Sequence, residues 1–96
     1  MSIPIEHHPE EQEFTAIVDG YTAELAYSQP SPGTIDFAHT FVDEELRGKG
    51  IAEAMAREAL AYAKQQGLQV RTSCKFMASF VERHPEYNEL LENNEQ

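Results

Sequence analysis

The sequence is poor in cysteine and in basic residues, and each shortage excludes a class of protein. Its single cysteine cannot form an internal disulfide, which is typical of a reducing compartment. Seven lysines and arginines stand against seventeen acidic residues, and the formal charge of −10 repels nucleic acid and anionic lipid. The same charge weakly favours cationic partners such as amines, although solubility explains it more simply. We therefore expect no nucleic acid and no membrane as a partner.

Long apolar runs and targeting signals are also missing. Residues 1–9 have neither a basic flank nor a long apolar core, and no segment approaches the length of a membrane span. We therefore expect a cytoplasmic protein. With 96 residues, 41% of them hydrophobic, the chain has enough material for one modest core. We expect a single domain over residues 1–96, with flexible tails at residues 1–9 and 92–96.

Hydrophobic periodicity predicts a mixed α/β fold. Alternating apolar residues predict four strands, over residues 10–18, 21–27, 34–42 and 68–74. Asp19-Gly20 favours a tight hairpin turn between the first two strands. Helical spacing predicts a main helix over residues 50–66, ended by Gly67, and a short C-terminal helix closed before Pro85. Because the main helix connects the third and fourth strands, those two strands should be parallel.

A glycine-rich turn stands between the third strand and the main helix. It reads Arg47-Gly48-Lys49-Gly50-Ile51-Ala52. The free N–H groups and the dipole of a helix N-terminus can hold a pyrophosphate there. Glycine at two positions lets an anion approach the backbone closely, and two basic side chains add positive charge. The turn therefore predicts a binding site for an anionic cofactor or substrate.

The pattern Arg-x-x-Gly-x-Ala, from Arg47 to Ala52, resembles the acetyl-coenzyme A pyrophosphate loop of the GNAT superfamily of N-acetyltransferases. The likeness extends to residues 39–52, to Ser73-Cys74-Lys75-Phe76 and to His84-Pro85-Glu86-Tyr87. Together these segments are similar to the compact N-acetyltransferase-domain family often labelled YjdJ-like. An ordered set of three segments is more specific than the loop alone.

The resemblance implies a small GNAT-like mixed sheet that binds acetyl-coenzyme A or coenzyme A. It implies that the strand before the loop separates from its parallel neighbour and that the pantetheine arm bonds to its backbone. On this chain the resemblance assigns main-chain contacts with pantetheine to Phe41 and Val42. It assigns the pyrophosphate to Arg47, Gly48, Lys49, Gly50, Ile51 and Ala52. Phe41 is equally interpretable as a core aromatic, and both roles are compatible.

Cys74 has two interpretations. It falls where the fourth strand ends and the short helix begins, and a thiol at a helix N-terminus beside Lys75 favours the thiolate, the nucleophilic form. The compact family also has a cysteine at this point, near the thioester end of the cofactor. Against this, Cys74 shares its strand face with Leu68 and Val70, and free cysteine is among the most often buried residues. A nucleophile and a packing residue both remain open.

His39 is the second candidate catalytic residue, as a general base that deprotonates an ammonium group, because an imidazole exchanges protons near neutral pH. Strict alternation places it on the face of Ile35, Phe37 and Phe41, where a half-buried, hydrogen-bonded histidine is the usual outcome unless a bulge redirects it. The adjacent pair His7 and His8 is too small for a zinc site, so we expect no metal.

The main functional hypothesis is transfer of an acetyl group from acetyl-coenzyme A to a primary amine, on a small molecule or a protein. Transfer is either direct or through a thioester on Cys74. Two alternatives remain: a coenzyme A-binding module without efficient turnover, and an acidic protein-interaction domain. We expect a monomer or a weak dimer. The acceptor itself is not defined by the sequence, because fold likeness does not identify a substrate.

Overall fold

The computed structural model describes residues 3–92, which form one five-stranded sheet with two α-helices. The strands are β1 (Ile5–His8), β2 (Glu13–Val18), β3 (Tyr21–Ser31), β4 (Thr34–Val42) and β5 (Gln69–Thr72); the helices are α1 (Ile51–Gln65) and α2 (Lys75–Arg83). Short 3-10 helices cover Glu44–Leu46 and Pro85–Leu90. The strand order is β1-β2-β3-β4-β5, antiparallel throughout except for the parallel pair β4 and β5. The predicted mixed α/β fold and the parallel crossover are confirmed.

Two predicted chain reversals are present with the backbone geometry that they require. Asp19 and Gly20 both have positive φ, 54° and 83°, as a two-residue hairpin turn between β2 and β3 demands. Gly67, with φ 68°, ends α1, and the N–H of Leu68 donates to the carbonyl of Ala63 at 2.9 Å. These turns set the direction in which β3 and β5 return to the sheet.

The core lies between one face of the sheet and the two helices. Apolar residues of α1 are fully buried at helical spacing: Ile51, Met55, Ala56, Ala59, Leu60 and Ala63. They pack against inward residues of the strands, among them Phe14, Leu25, Ile35, Phe37 and Val70. We call this side of the sheet the helix-covered face and the other side the open face. No helix among residues 3–92 combines the length and apolar character needed to cross a membrane.

The expectation of flexible tails is wrong for the parts of them that the structure describes. Ile5–His8 form β1, which pairs antiparallel with β2. Four residues are too few for a clear periodic signal, and the strand is held by His7, whose ring stacks on Phe14 at 4.1 Å. At the other end, Glu92 accepts two hydrogen bonds from Arg71, each 2.9 Å long, and its N–H donates to the Val70 carbonyl. Residues 93–96 lie outside the described residues.

His7 makes the stability of the fold depend on pH. Its Nε2 lies 2.6 Å from the Tyr27 hydroxyl, and burial, followed by the nearby His8, lowers the pKa of His7 below its usual 6.5. The folded protein therefore binds this proton less readily than the unfolded chain. We expect the contribution of His7 to be complete above about pH 6.5 and to be lost progressively as the pH falls toward the folded-state pKa.

Urea unfolding at a series of pH values between neutral and mildly acidic tests this expectation. In His7→Gln the free energy of unfolding should fall less on acidification than in the wild type. His39→Gln, which removes an exposed histidine, serves as the control and should follow the wild type. Equal acid sensitivity in the His7→Gln variant and the wild type would contradict the assignment.

Candidate functional site

A cavity of about 470 Å³ lies between the end of β4 and the start of α1. Its lining consists of Val42, Leu46, Arg47, Gly48, Gly50, Ile51, Ala52 and Glu53. Six of these eight residues belong to the predicted cofactor set, so the structure brings most of that set together around one opening. Lys49 is exposed but does not line the cavity, and Phe41 is directed elsewhere.

The glycines determine the shape of the turn. Gly48 and Gly50 have φ of 78° and 77°, in the left-handed region that L side chains rarely adopt. Gly50 is the N-cap of α1 and has no side chain that could cap the helix. Its carbonyl accepts a hydrogen bond from the Ala54 N–H at 3.0 Å. The first turn of α1 therefore lines the cavity without a capping side chain on its N–H groups, as an anion site requires.

Charged groups at the cavity act in opposite directions. Arg47 Nε donates to the Val42 carbonyl at 3.2 Å, which holds its guanidinium beside the strand end. Glu53, in the first turn of α1, places a carboxylate on the same lining. The chain approaching the turn is fixed by Asp43, whose carboxylate accepts from the Glu45 N–H at 2.9 Å, and by the buried Leu46. The positive charge of the site thus depends on Arg47 and on the helix N-terminus.

The sheet opens beside this cavity. β5 pairs with only the first four residues of β4, from Thr34 to Phe37, and the last backbone hydrogen bond between the two segments within residues 3–92 joins the Cys74 N–H to the Phe37 carbonyl at 2.8 Å. A β-bulge follows, because Ala26 pairs with His39 while Tyr27 pairs with Phe37, leaving Ala38 as an extra residue. From residue 38 to residue 42, β4 keeps β3 as its neighbour but runs free of β5.

Cys74 lies at this separation of the strands. The structure places it outside β5, which ends at Thr72, and makes it the N-cap of α2. The residue is 8% exposed, and its Sγ lies 3.1 Å from the Thr40 hydroxyl. Its burial within the core supports the packing interpretation. Its position at the gap, with a hydroxyl partner and a helix N-terminus, is what a nucleophile requires, so the structure is compatible with both.

The bulge changes the position of His39. Strict alternation would place His39 on the face of Ile35 and Phe37, and that expectation is wrong because the extra residue Ala38 reverses the alternation. His39 is exposed on the open face, together with Phe41, which is 43% exposed. The expectation of Phe41 as a core aromatic is wrong for the same reason. No imidazole is hydrogen-bonded to the Cys74 thiol within residues 3–92.

Three residues near the site were not predicted. Leu46 and Glu53 line the cavity, and Thr40 contacts the candidate nucleophile. Leu46 and Glu53 flank the glycine turn in the sequence and Thr40 lies 34 positions before Cys74, and none of the three carries a chemical signal of its own. Thr40 reaches the helix-covered face only because of the bulge at Ala38. The sequence of β4 contains no glycine that would indicate a bulge. Within the described residues, no group of three histidine, cysteine or acidic side chains could hold a metal ion.

Comparisons with known proteins agree with this geometry. The chain is 30% identical over 95 residues to Protein NATD1 of Xenopus tropicalis, covering 95% of this chain and 87% of that relative. It is 31% identical over 94 residues to Protein NATD1 of Bos taurus, covering 94% and 83% respectively. A solution NMR structure of a GCN5-like protein from Staphylococcus aureus superimposes with a TM-score of 0.75 and 25% identity, covering 95% of this chain and 90% of that one.

The family model described as GCN5-related N-acetyl-transferase matches residues 13–90. That span contains the strand pair β4 and β5, the glycine turn, α1 and the Cys74 segment. The match and the shared fold confirm the resemblance at the level of the superfamily. The chain belongs to the GCN5-related N-acetyl-transferase family.

Proposed function

We propose that this protein binds acetyl-coenzyme A and transfers its acetyl group to a primary amine. The observation that carries the proposal is the continuity of two features at the end of β4. An uncapped helix N-terminus lines a cavity at the glycine turn, and the strand leading to that cavity runs free of β5 from residue 38 to residue 42. The first suits a pyrophosphate, and the second suits an extended arm that contains amides.

Different residues bind different parts of the cofactor. The N–H groups at the start of α1, next to Ile51 and Ala52, receive the pyrophosphate, and Arg47 adds charge. The backbone of Phe41 and Val42 receives the pantetheine arm. The Val42 carbonyl already accepts from Arg47, but a carbonyl oxygen has two lone pairs and can accept a second N–H.

The chemistry has two possible courses. In the direct course, the amine attacks the thioester carbonyl, the coenzyme A thiolate leaves, and the amine nitrogen loses a proton to solvent or to a base. In the covalent course, the Cys74 thiolate displaces coenzyme A and forms a thioester, which the amine then attacks to regenerate the thiol. Free backbone N–H groups of β4 are suitable donors to the developing oxyanion in either course.

A coenzyme A-binding module without turnover is the second candidate. The observation that favours it is that His39 lies on the open face while Cys74 contacts Thr40 on the helix-covered side, so no imidazole within residues 3–92 is hydrogen-bonded to the thiol. Such a protein would keep the pyrophosphate site and lack acetyl transfer.

Calorimetric titration with coenzyme A and with acetyl-coenzyme A tests the proposal. Both ligands should release or absorb heat with one-to-one stoichiometry. Release of free coenzyme A thiol in the presence of a primary amine then separates the enzyme from the binding module. The absence of heat with both ligands would refute both functions and leave an interaction domain.

Salt should weaken the binding, because Arg47 and Lys49 neutralise the pyrophosphate on an otherwise acidic protein. We expect the dissociation constant for coenzyme A to rise with ionic strength in the wild type and to change much less in the double variant Arg47→Gln, Lys49→Gln. The single variants assign the effect: Arg47 lines the cavity and Lys49 does not, so Arg47→Gln should account for most of it. An unaltered salt dependence in the double variant would show that backbone N–H groups alone hold the anion.

A further inference from the structure

The open face of the sheet carries two continuous rows of side chains across β1 to β4. The strand register defines both rows. The first row consists of Glu6, Thr15, Glu24 and Phe41, and the second consists of His8, Glu13, Ala26 and His39. Each row runs perpendicular to the strands, so neighbouring members lie on adjacent strands. Ile17, which pairs with Thr22, adds an apolar side chain beside the first row.

This face exposes apolar side chains that a closed core would cover. Ile17 is 63% exposed and Phe41 is 43% exposed, whereas the central residues of the helix-covered face are buried and only Tyr21, at the start of β3, is comparably exposed there, at 40%. The two helices pack on the other side of the sheet, and no described element covers this one. Exposed apolar side chains interspersed with polar ones are compatible with a surface that contacts a partner.

The charges on the face decide which partner fits. Three carboxylates, Glu6, Glu13 and Glu24, lie in the two rows, and the described residues place no lysine or arginine there. Arg71 projects from β5 on the same side but is paired with Glu92. A second copy of this chain docking through the same face would bring like charges together, which is unfavourable. A cationic partner is attracted instead, in keeping with the net charge of −10.

The open face adjoins the candidate site at the end of β4, where β5 no longer pairs with it. His39 and Phe41 project from β4 onto the open face, while Thr40 between them contacts Cys74 on the helix-covered side. Because β5 leaves β4 after Phe37, no neighbouring strand closes the passage beside residues 38–42. A long, flexible side chain lying across the open face therefore reaches the unpaired side of β4, next to the residue that contacts Cys74.

We infer that the open face is the docking surface for a basic polypeptide segment, which lies across the two rows with cationic side chains on the carboxylates and apolar ones on Ile17 and Phe41. The inference rests on the proposed function in one respect, since a lysine of the docked segment is taken to be the acetyl acceptor. Docking itself requires no cofactor. On this inference the acetyl acceptor is a lysine of a basic polypeptide, and not an amine on a neutral or anionic molecule.

A synthetic peptide tests the docking directly. The probe repeats Lys-Ser-Leu-Ser three times with blocked ends, so that lysine and leucine alternate along one side of the extended chain. Its affinity is measured by fluorescence anisotropy, and its position by changes in backbone amide NMR shifts. We expect the shifts to be concentrated in β1 to β4 on residues of the open face. A peptide with glutamate in place of lysine should not bind.

Matched variants identify the surface. Glu6→Gln, Glu13→Gln and Glu24→Gln together should weaken peptide binding by about tenfold, because three exposed ion pairs are lost. The control combines Glu82→Gln, Glu86→Gln and Glu89→Gln, which removes the same charge from exposed positions of α2 and the following 3-10 helix. It should change the affinity by less than about twofold, because these positions lie outside the docking surface. Ile17→Thr, which removes apolar contact area alone, should also weaken binding.

Three outcomes would overturn the inference. Equal loss in the two triple variants would show that only overall charge attracts the peptide. Shifts confined to the cavity at the glycine turn would place the peptide elsewhere. Dimerisation through the open face, detected by sedimentation, would make a second copy the occupant. Coenzyme A titration of the same variants separates this inference from the proposed function. The Gln variants should retain cofactor binding. If neither the wild type nor any variant binds coenzyme A, the proposed function fails while the docking result stands.

Discussion

Gly50→Glu should abolish coenzyme A binding in a protein that remains folded. Gly50 is the N-cap of α1 at φ 77°, and a Cβ built there meets no atom within 4 Å. A glutamate side chain therefore has room to extend into the space where the pyrophosphate is proposed to bind. Its carboxylate would be stabilised by the same helix N-terminus and would compete with the anion. Calorimetric titration should show no heat with coenzyme A.

Gly50→Ala is the matched control, because it carries the same backbone cost without the charge. A left-handed conformation costs an L residue about 1–2 kcal/mol, so both variants should lose similar stability in chemical unfolding. We expect Gly50→Ala to bind coenzyme A with an affinity reduced far less than that of Gly50→Glu. Wild-type affinity in the glutamate variant would remove the glycine turn from the site.

Cys74→Ala should abolish a covalent acetyl adduct that the wild type forms. The thiol lies at the gap between β4 and β5, 3.1 Å from the Thr40 hydroxyl and at the start of α2. Mixing the wild type with acetyl-coenzyme A, without an acceptor, should add one acetyl group, visible by intact-protein mass spectrometry. Hydroxylamine should remove it, since it cleaves thioesters and leaves amides.

The alternative course gives a different pattern. In direct transfer the wild type forms no thioester, and Cys74→Ala retains both cofactor binding and most of the activity toward an amine. That result would assign Cys74 to packing, in agreement with its 8% exposure, and make His39 the next residue to test. Unfolding measurements on Cys74→Ala are needed alongside, because removing a buried side chain leaves a cavity that reduces stability.

The local signals in the sequence are sufficient for most of the architecture and for the position of the glycine turn before α1. Asp19-Gly20 and Gly67 predict chain reversals because few other residues adopt positive φ, and α1 follows from helical spacing alone. The glycine turn is predicted to hold an anion because glycines and basic residues before a helix are the components of such a site. Such features are determined by neighbouring residues, which is why a single sequence reveals them.

The features that were missed depend on contacts between distant residues. β1 is held in the sheet in part by contacts of His7 with Phe14 and Tyr27. The sequence of a four-residue segment does not indicate such distant partners. The bulge at Ala38 reverses the faces of His39 and Phe41, since a shift of one residue moves every later side chain of a strand to the other face. The positions of His39 and of Thr40, the contact of Cys74, depend on that shift, and for this reason they are harder to predict than the position of the glycine turn.

The short first strand limits how another chain can pair with the sheet at that edge. β1 has four residues and stands between Pro4 and Pro9, which lack the N–H groups that an incoming strand would use. At the opposite edge, Leu91 forms a bridge with Val70 and occupies part of β5. The outer side of β1 and the outer side of β5 therefore each offer few backbone groups to an incoming strand. A chain shortened to begin at Glu10 would instead expose β2, with Phe14 to Val18, as a new edge prone to aggregation.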